Sequence, residues 1–363
     1  MTESKKRDTR LDGWRGLCLA NMLVAHLVHG GAIAFSPDWW LWLAEYTRFA
    51  AAGFILVSGM TIGLVFGRRD GAYLRMDRRA GEVLVAHFAM TLLAYALLAP
   101  QYPVGPLVWQ VVTLREGHDL LPFYVVMLLA APGMLWLLRR GLGWLLLLIS
   151  AGLYGLDIAV PGTFLLPLQD KPEQSTFLVL RWQGFFVLGV WAGYYLKRFD
   201  AWPNRRKLAV VIAASLVTVT CHLLAYDEQY GLNINPGLVF WKQVLSVPEF
   251  VKYLALCVTI FGWTGLAWRW LASPMRPMAT LGRHALPVYV AHVYLLAPLA
   301  ALSVAVPLPD AGKLAWLVIG VAALWAFAVG VEWLQRKWKP TRYVAAPAIV
   351  VASVAYMFVW QLL

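Results

Sequence analysis

Apolar residues fall in long runs, separated by short polar stretches. About 20 apolar residues in a helix cover the roughly 30 Å of hydrocarbon in a bilayer. Runs of that length occupy roughly 14–34, 46–67, 80–100, 119–138, 142–160, 176–197, 208–226, 250–271, 284–306, 313–334 and 343–362. The pattern predicts an all-α integral membrane protein, a polytopic bundle of about 10–11 transmembrane helices. The fourth to sixth runs are the least regular, because Pro132, Pro161 and Pro167 interrupt them. The stretch 104–116 reads as a re-entrant or surface segment. No repeat, low-complexity tract or linker divides the chain. Residues 1–363 are therefore read as one transmembrane domain, with 1–13 as a cytoplasmic tail and 343–362 as an accessory helix.

Composition agrees. The chain is 61% hydrophobic and 14% charged, whereas soluble domains sit near half apolar and about a quarter charged. Nineteen tryptophans suit the membrane–water interface. The three cysteines, Cys18, Cys221 and Cys257, match no metal or disulfide spacing, and no metal site is expected. The charged N-terminus runs into a span without an A-x-A-like cleavage site, so no cleavable signal is expected.

A net charge of +12 invites a nucleic-acid reading, but its distribution argues otherwise. With the N-terminus in the cytoplasm, alternating spans place Lys5, Lys6, Arg7 and Arg10 on the inner side. Arg68, Arg69, Arg75, Arg78, Arg79, Arg139, Arg140, Arg205, Arg206 and Lys207 fall there too. The outer side receives only Arg48, Arg115, Lys171, Lys242, Lys252 and Lys313. This is the positive-inside pattern. It predicts membrane lipids as the surroundings and no nucleic-acid partner.

The first span is the least plain. It carries Asp12, Arg15, Asn21, His26 and His29. Ionisable groups at membrane depth are expensive and mark function by default. Arg15 and His26 are eleven residues apart, about three turns, so they share a face roughly 16 Å apart along the axis. His26 reads as a general base for an acceptor hydroxyl, since an unperturbed imidazole titrates near pH 6.5. The plainer reading is a histidine bonded between helices. Asp12 and Arg15, three apart, can meet. Arg15 then holds an acidic group of a donor or orients His26 through intermediates, while Asp12 also suits the first turn of a helix.

Five arginines (Arg68, Arg69, Arg75, Arg78 and Arg79) crowd one cytoplasmic loop. Arginine suits bidentate phosphate binding, so the loop suits a nucleotide-bearing donor such as a coenzyme A thioester. Topology and anionic-lipid contact account for the same charge. Gly59 and Gly63 form a G-x-x-x-G packing motif, and Ser58 beside it lines a cavity rather than acting as a nucleophile. The longest outer loop, about 227–249, holds aromatics and amides that suit a polyol, although a structured loop with interfacial Tyr230 and Trp241 explains them more simply. Other polar residues within apolar runs are His87, Asp119, Asp157, Arg181 with Gln183, His222, and His284 with His292. Arg181 suits either an acid partner, with Glu45, Asp119 and Glu332 as choices, or a carboxylate on the donor.

These motifs resemble the OpgC-domain branch of the transmembrane acyltransferase superfamily, which includes the acyltransferase-three proteins. The resemblance rests on Arg10-Leu-Asp-Gly-Trp-Arg-Gly with His26, and on Glu45 followed by Phe54-Ile-Leu-Val-Ser-Gly59. It continues through Arg75-Met-Asp-Arg78, Asp119-Leu-Leu-Pro-Phe-Tyr124, Arg181-Trp-Gln-Gly-Phe-Phe-Val-Leu-Gly189 and Leu281-Gly-Arg-His-Ala-Leu-Pro-Val288. It implies acyl transfer from cytoplasmic acyl-CoA to periplasmic or envelope carbohydrate. The membrane histidine acts in catalysis and the arginines engage the donor. The OpgC branch is associated with succinylation of periplasmic glucans; succinyl-CoA and acetyl-CoA both remain open as co-substrate, with no tightly bound cofactor. Glu45, Ser58, Asp119, Arg181 and His284 are the expected substrate contacts. Counted from Trp14, His26 lies roughly 18 Å along its helix, within reach of a pantetheine arm whose headgroup rests on Arg75 and Arg78. The resemblance implies a multi-pass protein of a bacterial inner membrane. A transporter or flippase for an envelope precursor is the alternative, since midplane polar residues suit transport as well; against it, no paired broken helices are visible. A scaffold without chemistry leaves Arg15 and His26 unexplained.

Overall fold

The computed structural model describes residues 8–29, 33, 47–68, 73–112, 120–160, 179–227, 231–240, 245–305, 308–338 and 341–362. Among these, all regular structure is helical. The helices are α1 (Thr9–His29), α2 (Ala50–Phe66), α3 (Tyr73–Leu98), α4 (Val104–Val112), α5 (Leu120–Arg139), α6 (Gly143–Ala159) and α7 (Val179–Asp200). They continue as α8 (Asn204–Ala225), α9 (Val247–Leu266), α10 (Trp268–Leu271), α11 (Arg276–Arg283), α12 (Ala285–Ala305), α13 (Asp310–Lys337) and α14 (Thr341–Leu362). Every apolar run read from the sequence overlaps one of these helices.

Five helices (α3, α5, α8, α9 and α13) are long and apolar enough to cross a membrane alone. A sixth crossing results if α11 and α12 are one bent span, and three shorter apolar helices accompany them. The protein is a polytopic helical membrane protein. At 21 residues, α1 is long enough to span, but its polar side chains keep it less apolar than a plain span. It starts at Thr9, before the apolar run expected from 14, because residues 9–13, with Thr9, Arg10 and Asp12 among them, make its first turn. Pro132, expected to interrupt a span, lies inside α5.

The chain forms two compact units, each drawn from several stretches. The first comprises Met1–Thr61, Tyr195–Phe240 and Val247–Trp333. Its centre is α1, which packs on α11 and α12. The closest approach is backbone to backbone. A Cβ on Gly16 would lie 1.7 Å from the Met278 carbonyl oxygen, and one on Gly282 would lie 1.8 Å from that of Asp12. Neither site admits a side chain unless the helices part. Trp14 adds a hydrogen bond from its indole to Thr264 Oγ1 (2.7 Å) and a stack on Phe261. α8 packs on α9, while Leu216 and Val219 on its outer face stay exposed, as a lipid-facing surface requires.

α11 and α12 meet at 97°, at the start of the span read over 284–306, which α12 covers. Pro287 supplies the reason. It has no N–H for the Arg283 carbonyl, and its ring clashes there in a continuous helix. The chain therefore leaves the helix at His284, where φ is −106° and ψ is 36°. The loop after α8 is organised by its own side chains. Asp227 accepts bonds from the backbone N–H groups of Ile234 (2.8 Å) and Asn235 (3.2 Å), and the Asn235 amide reaches the Leu224 and Leu238 carbonyls. These polar groups serve the loop, in line with the simpler of the two readings; Tyr230 and Trp241 lie outside the described residues.

The second unit comprises Ile62–Tyr194, Trp241–Ser246 and Leu334–Leu363. α3 packs on α5 and α14, and α5 packs on α6. α4, part of the stretch read as re-entrant or surface, joins the apolar cluster of Leu92, Ala96, Leu107, Val111 and Met357. Gly63 of the G-x-x-x-G motif meets the Val190 carbonyl, where a Cβ would lie 2.1 Å away. Arg139 closes the C-terminal end of α2, donating to the Phe66 and Gly67 carbonyls at 2.9 Å each. A cation there complements the helix dipole and the unsatisfied carbonyls.

Candidate functional site

In the first unit α1 presents Arg15 and His26 along one run of chain, Gly282 to His292. Arg15 is held on three sides. Its guanidinium donates to the Gly282 carbonyl (3.3 Å) and to Thr61 Oγ1, and it lies 3.9 Å from Asp12 Oδ1. Thr61 in turn donates to the Val57 carbonyl, at 2.9 Å. Asp12 is buried in the first turn of α1, so the predicted meeting of Asp12 and Arg15 occurs. Arg15 ties α1 to α2 and to the end of α11, and its charge is met by a carboxylate and two neutral acceptors.

His26 occupies the last described turn of α1 and is exposed. Its ring stacks on that of His292 in α12, with centroids 5.6 Å apart and planes 27° apart. His292 is only 1% exposed. Its Nδ1 bonds to the Tyr289 carbonyl. A carbonyl only accepts, so this nitrogen carries the hydrogen. The Tyr289 ring lies 4.9 Å from the His292 ring, and Phe54 of α2 stacks on Tyr289 at 6.4 Å. The result is one accessible imidazole backed by a buried column of rings. Such a group can exchange a proton with a hydroxyl brought to its open side.

Other expected site residues are placed as follows. Ser58 is half-buried on α2, one turn from Thr61. His284 sits at the bend with Nε2 3.9 Å from Glu332, and Arg283 meets the same carboxylate at 3.4 Å. His29 is in α1, but its side chain, like Glu45, Arg69 and Asp119, lies outside what is described. In the second unit, Arg181 pairs with Asp157 on α6 and also donates to the Asp157 backbone carbonyl, at 3.2 Å. The acid it meets is thus Asp157 rather than one of the expected Glu45, Asp119 and Glu332, of which Glu45 and Asp119 lie outside the described residues. The pairing crosses from α6 to α7, so no sequence spacing marks it.

The arginine loop is split in its bonding. Arg79 pairs with Glu82 at 2.6 Å, and Arg78 approaches the same acid at 3.7 Å. Among the described residues, Arg68 and Arg75 make no ion pair. They lie exposed over the rings of Tyr194 and Phe66, each at 5.9 Å.

The sequence reading missed Thr61, the Gly282 carbonyl and the stacking of His26 on the His292 ring. It also missed a buried pair at the start of α9, where Glu249 and Lys252 lie 2.8 Å apart. The Lys252 ammonium faces Tyr226, Phe240 and Tyr253, at 5.9, 5.6 and 5.3 Å from their ring centres. Only the i, i+3 spacing of opposite charges signals that pair.

Fold and site together define a polytopic helical membrane protein with an accessible histidine on its first helix. The chain belongs to the OpgC protein family, whose model matches residues 7–101 and 101–336. The match includes α1, the arginine loop and the α11–α12 bend. Membership implies transferase activity. No curated protein matches the chain.

Proposed function

We propose that the protein is an inner-membrane O-acyltransferase. It moves a succinyl or acetyl group from cytoplasmic acyl-CoA to a hydroxyl of a periplasmic or envelope glycan. The observation that carries this reading is His26, an exposed imidazole on a span-length helix within the family match. His26 takes the proton of the acceptor hydroxyl, and the oxygen attacks the thioester carbonyl. The tetrahedral intermediate collapses, the C–S bond breaks, and CoA leaves as thiolate. The proton on His26 returns to the thiolate, giving the ester and free CoA. No covalent enzyme intermediate is required. Arg15, with Asp12, holds the helices around the base. Arg68, Arg75 and their neighbours supply the charge that binds the donor phosphates.

A transporter reading draws on the bend between α11 and α12, since broken helices also form transport sites. One experiment separates the two. Envelope glycans are weighed by mass spectrometry from cells with the protein, without it, and with His26→Ala, while membranes from the same cells are assayed for free CoA. Transfer predicts a mass increment of one acyl group and CoA release, both absent in the deletion and the variant. A glycan of unchanged mass but altered abundance, with no CoA released, would sink the enzyme and favour transport.

A further inference from the structure

The proposed base has a support that the sequence pattern did not reveal. A general base must aim its lone pair closely, because a misplacement of about 1 Å can cost on the order of 10²-fold in rate. An exposed histidine on a helix lacks that control by itself, since its χ2 torsion is broad. Here the ring of His26 rests on His292, at 5.6 Å and 27°. His292 is buried, its Nδ1 is bonded to the Tyr289 carbonyl, and its ring is flanked by that of Tyr289. Phe54 from α2 backs Tyr289, so three helices meet in this column.

We propose that His292 is a positioning residue, a fixed ring beneath His26 that sets the plane of the base. The inference rests on the acyltransferase reading. The ring is the working part and its Nδ1–H is the fastening. His292 touches neither the thioester nor the acceptor, so its loss changes turnover and leaves donor binding intact.

The test uses the full chain in membranes, with succinyl-CoA and acetyl-CoA in turn as donor and envelope glycan as acceptor. Free CoA and acylated glycan are both measured. His292→Ala removes the ring and should lower kcat about 10- to 100-fold, with the donor KM within about two-fold of wild type. His292→Phe keeps a ring without nitrogens and should keep at least roughly a third of kcat. If His292→Ala does not accumulate, His292→Gln takes its place. Its amide can still donate to the Tyr289 carbonyl, but it has no ring, and it should be as slow as His292→Ala. Thermal unfolding of each variant separates loss of fold from loss of turnover. If wild type turns over, His26→Ala is dead and His292→Ala is unimpaired, the positioning role falls and the acyltransferase reading stands. If His292→Gln turns over near wild type while His292→Phe is slow, the hydrogen bond and not the ring is needed, and the proposal is overturned; if both are as slow as His292→Ala, a ring alone does not set the base and the proposal falls as well. If wild type itself consumes no thioester, both readings fall together.

Discussion

Two polar clusters sit among apolar helices, and they differ in what they leave open. In the second unit, Arg181 and Asp157 are each 7% exposed and pair with each other. Beside them the Gln183 amide donates to the Ser150 carbonyl (2.8 Å), and the Ser150 hydroxyl donates to Gln183 Oε1 (2.9 Å). Donors meet acceptors, and α6 is fastened to α7. In the first unit the buried member, His292, is fastened in the same way, but it carries an exposed partner, His26. Polar groups at membrane depth are costly, and pairing offsets the cost. A closed cluster accounts for itself by the helices it joins. An open one presents a titratable group at the surface, and that exposure suits a reaction.

The largest effect that would sharpen this contrast is on stability. Asp157→Ala leaves the Arg181 guanidinium buried without its carboxylate, and breaking a buried pair costs about 3–5 kcal/mol. The melting temperature in detergent should fall steeply. The double variant Asp157→Leu with Arg181→Met replaces the pair with apolar groups and should recover most of the loss. Transfer per folded molecule should follow wild type in the double variant. His26→Ala should behave in the opposite way, with melting unchanged and transfer gone. A double variant that melts normally yet transfers nothing would break the contrast and return Arg181 to the substrate.

Why one cluster was legible in part and the other hardly at all follows from distance along the chain. Asp12 and Arg15 are neighbours on a helix surface, so their meeting could be read from spacing alone. The G-x-x-x-G at 59 and 63 announced a close approach, and Gly63 makes one. The apolar runs announced the helices because the length of a span is set by the bilayer. Arg181 finds Asp157, and His26 finds His292, through packing between helices far apart in sequence. Periodicity within one helix carries no information about that. Gly16 and Gly282 lie within motifs of the resemblance without standing out there, and their purpose, contact between two backbones, appears only when α1 and α11 are placed together. The bend at His284 was within reach of the sequence: Pro287 lies four residues beyond Arg283, where it cannot accept the helical arrangement.

A smaller effect tests whether the second unit is only structural. Arg68 and Arg75 are exposed and make no described ion pair, whereas Arg78 and Arg79 share Glu82. If the loop grips donor phosphates, Arg75→Ala with Arg78→Ala should raise the donor KM about ten-fold, roughly 1.4 kcal/mol. The rate at saturating donor should fall little. The effect should weaken as salt screens the phosphates. A donor KM that does not move would place donor recognition elsewhere and leave these charges to topology and lipid.

The smallest effect lies at the start of α1, where the first unit has a closed cluster of its own. Arg10 donates to Asp200 at 2.8 and 2.7 Å and to Asp8 at 3.1 and 2.8 Å. Burial alone would raise the Asp8 carboxyl, but the Arg10 hydrogen bond and charge outweigh it and hold the group below its ordinary 3.8. The folded state therefore binds fewer protons than the unfolded one as this group titrates, and stability rises with pH across that window. The contribution is fully present above about pH 4–5 and is lost as pH falls through the lowered folded value. Because the pair is only partly buried, its size should be about 0.2–1 kcal/mol. Asp8→Asn should thus melt slightly below wild type at neutral pH, and the gap should close on acidification below about pH 4. Transfer at neutral pH should be unchanged, since the cluster holds a helix end and offers no group to a substrate. A gap that persists at low pH would mean that the carboxylate charge is not what Arg10 requires. A loss of transfer without a loss of stability would extend the open site to the entry of α1.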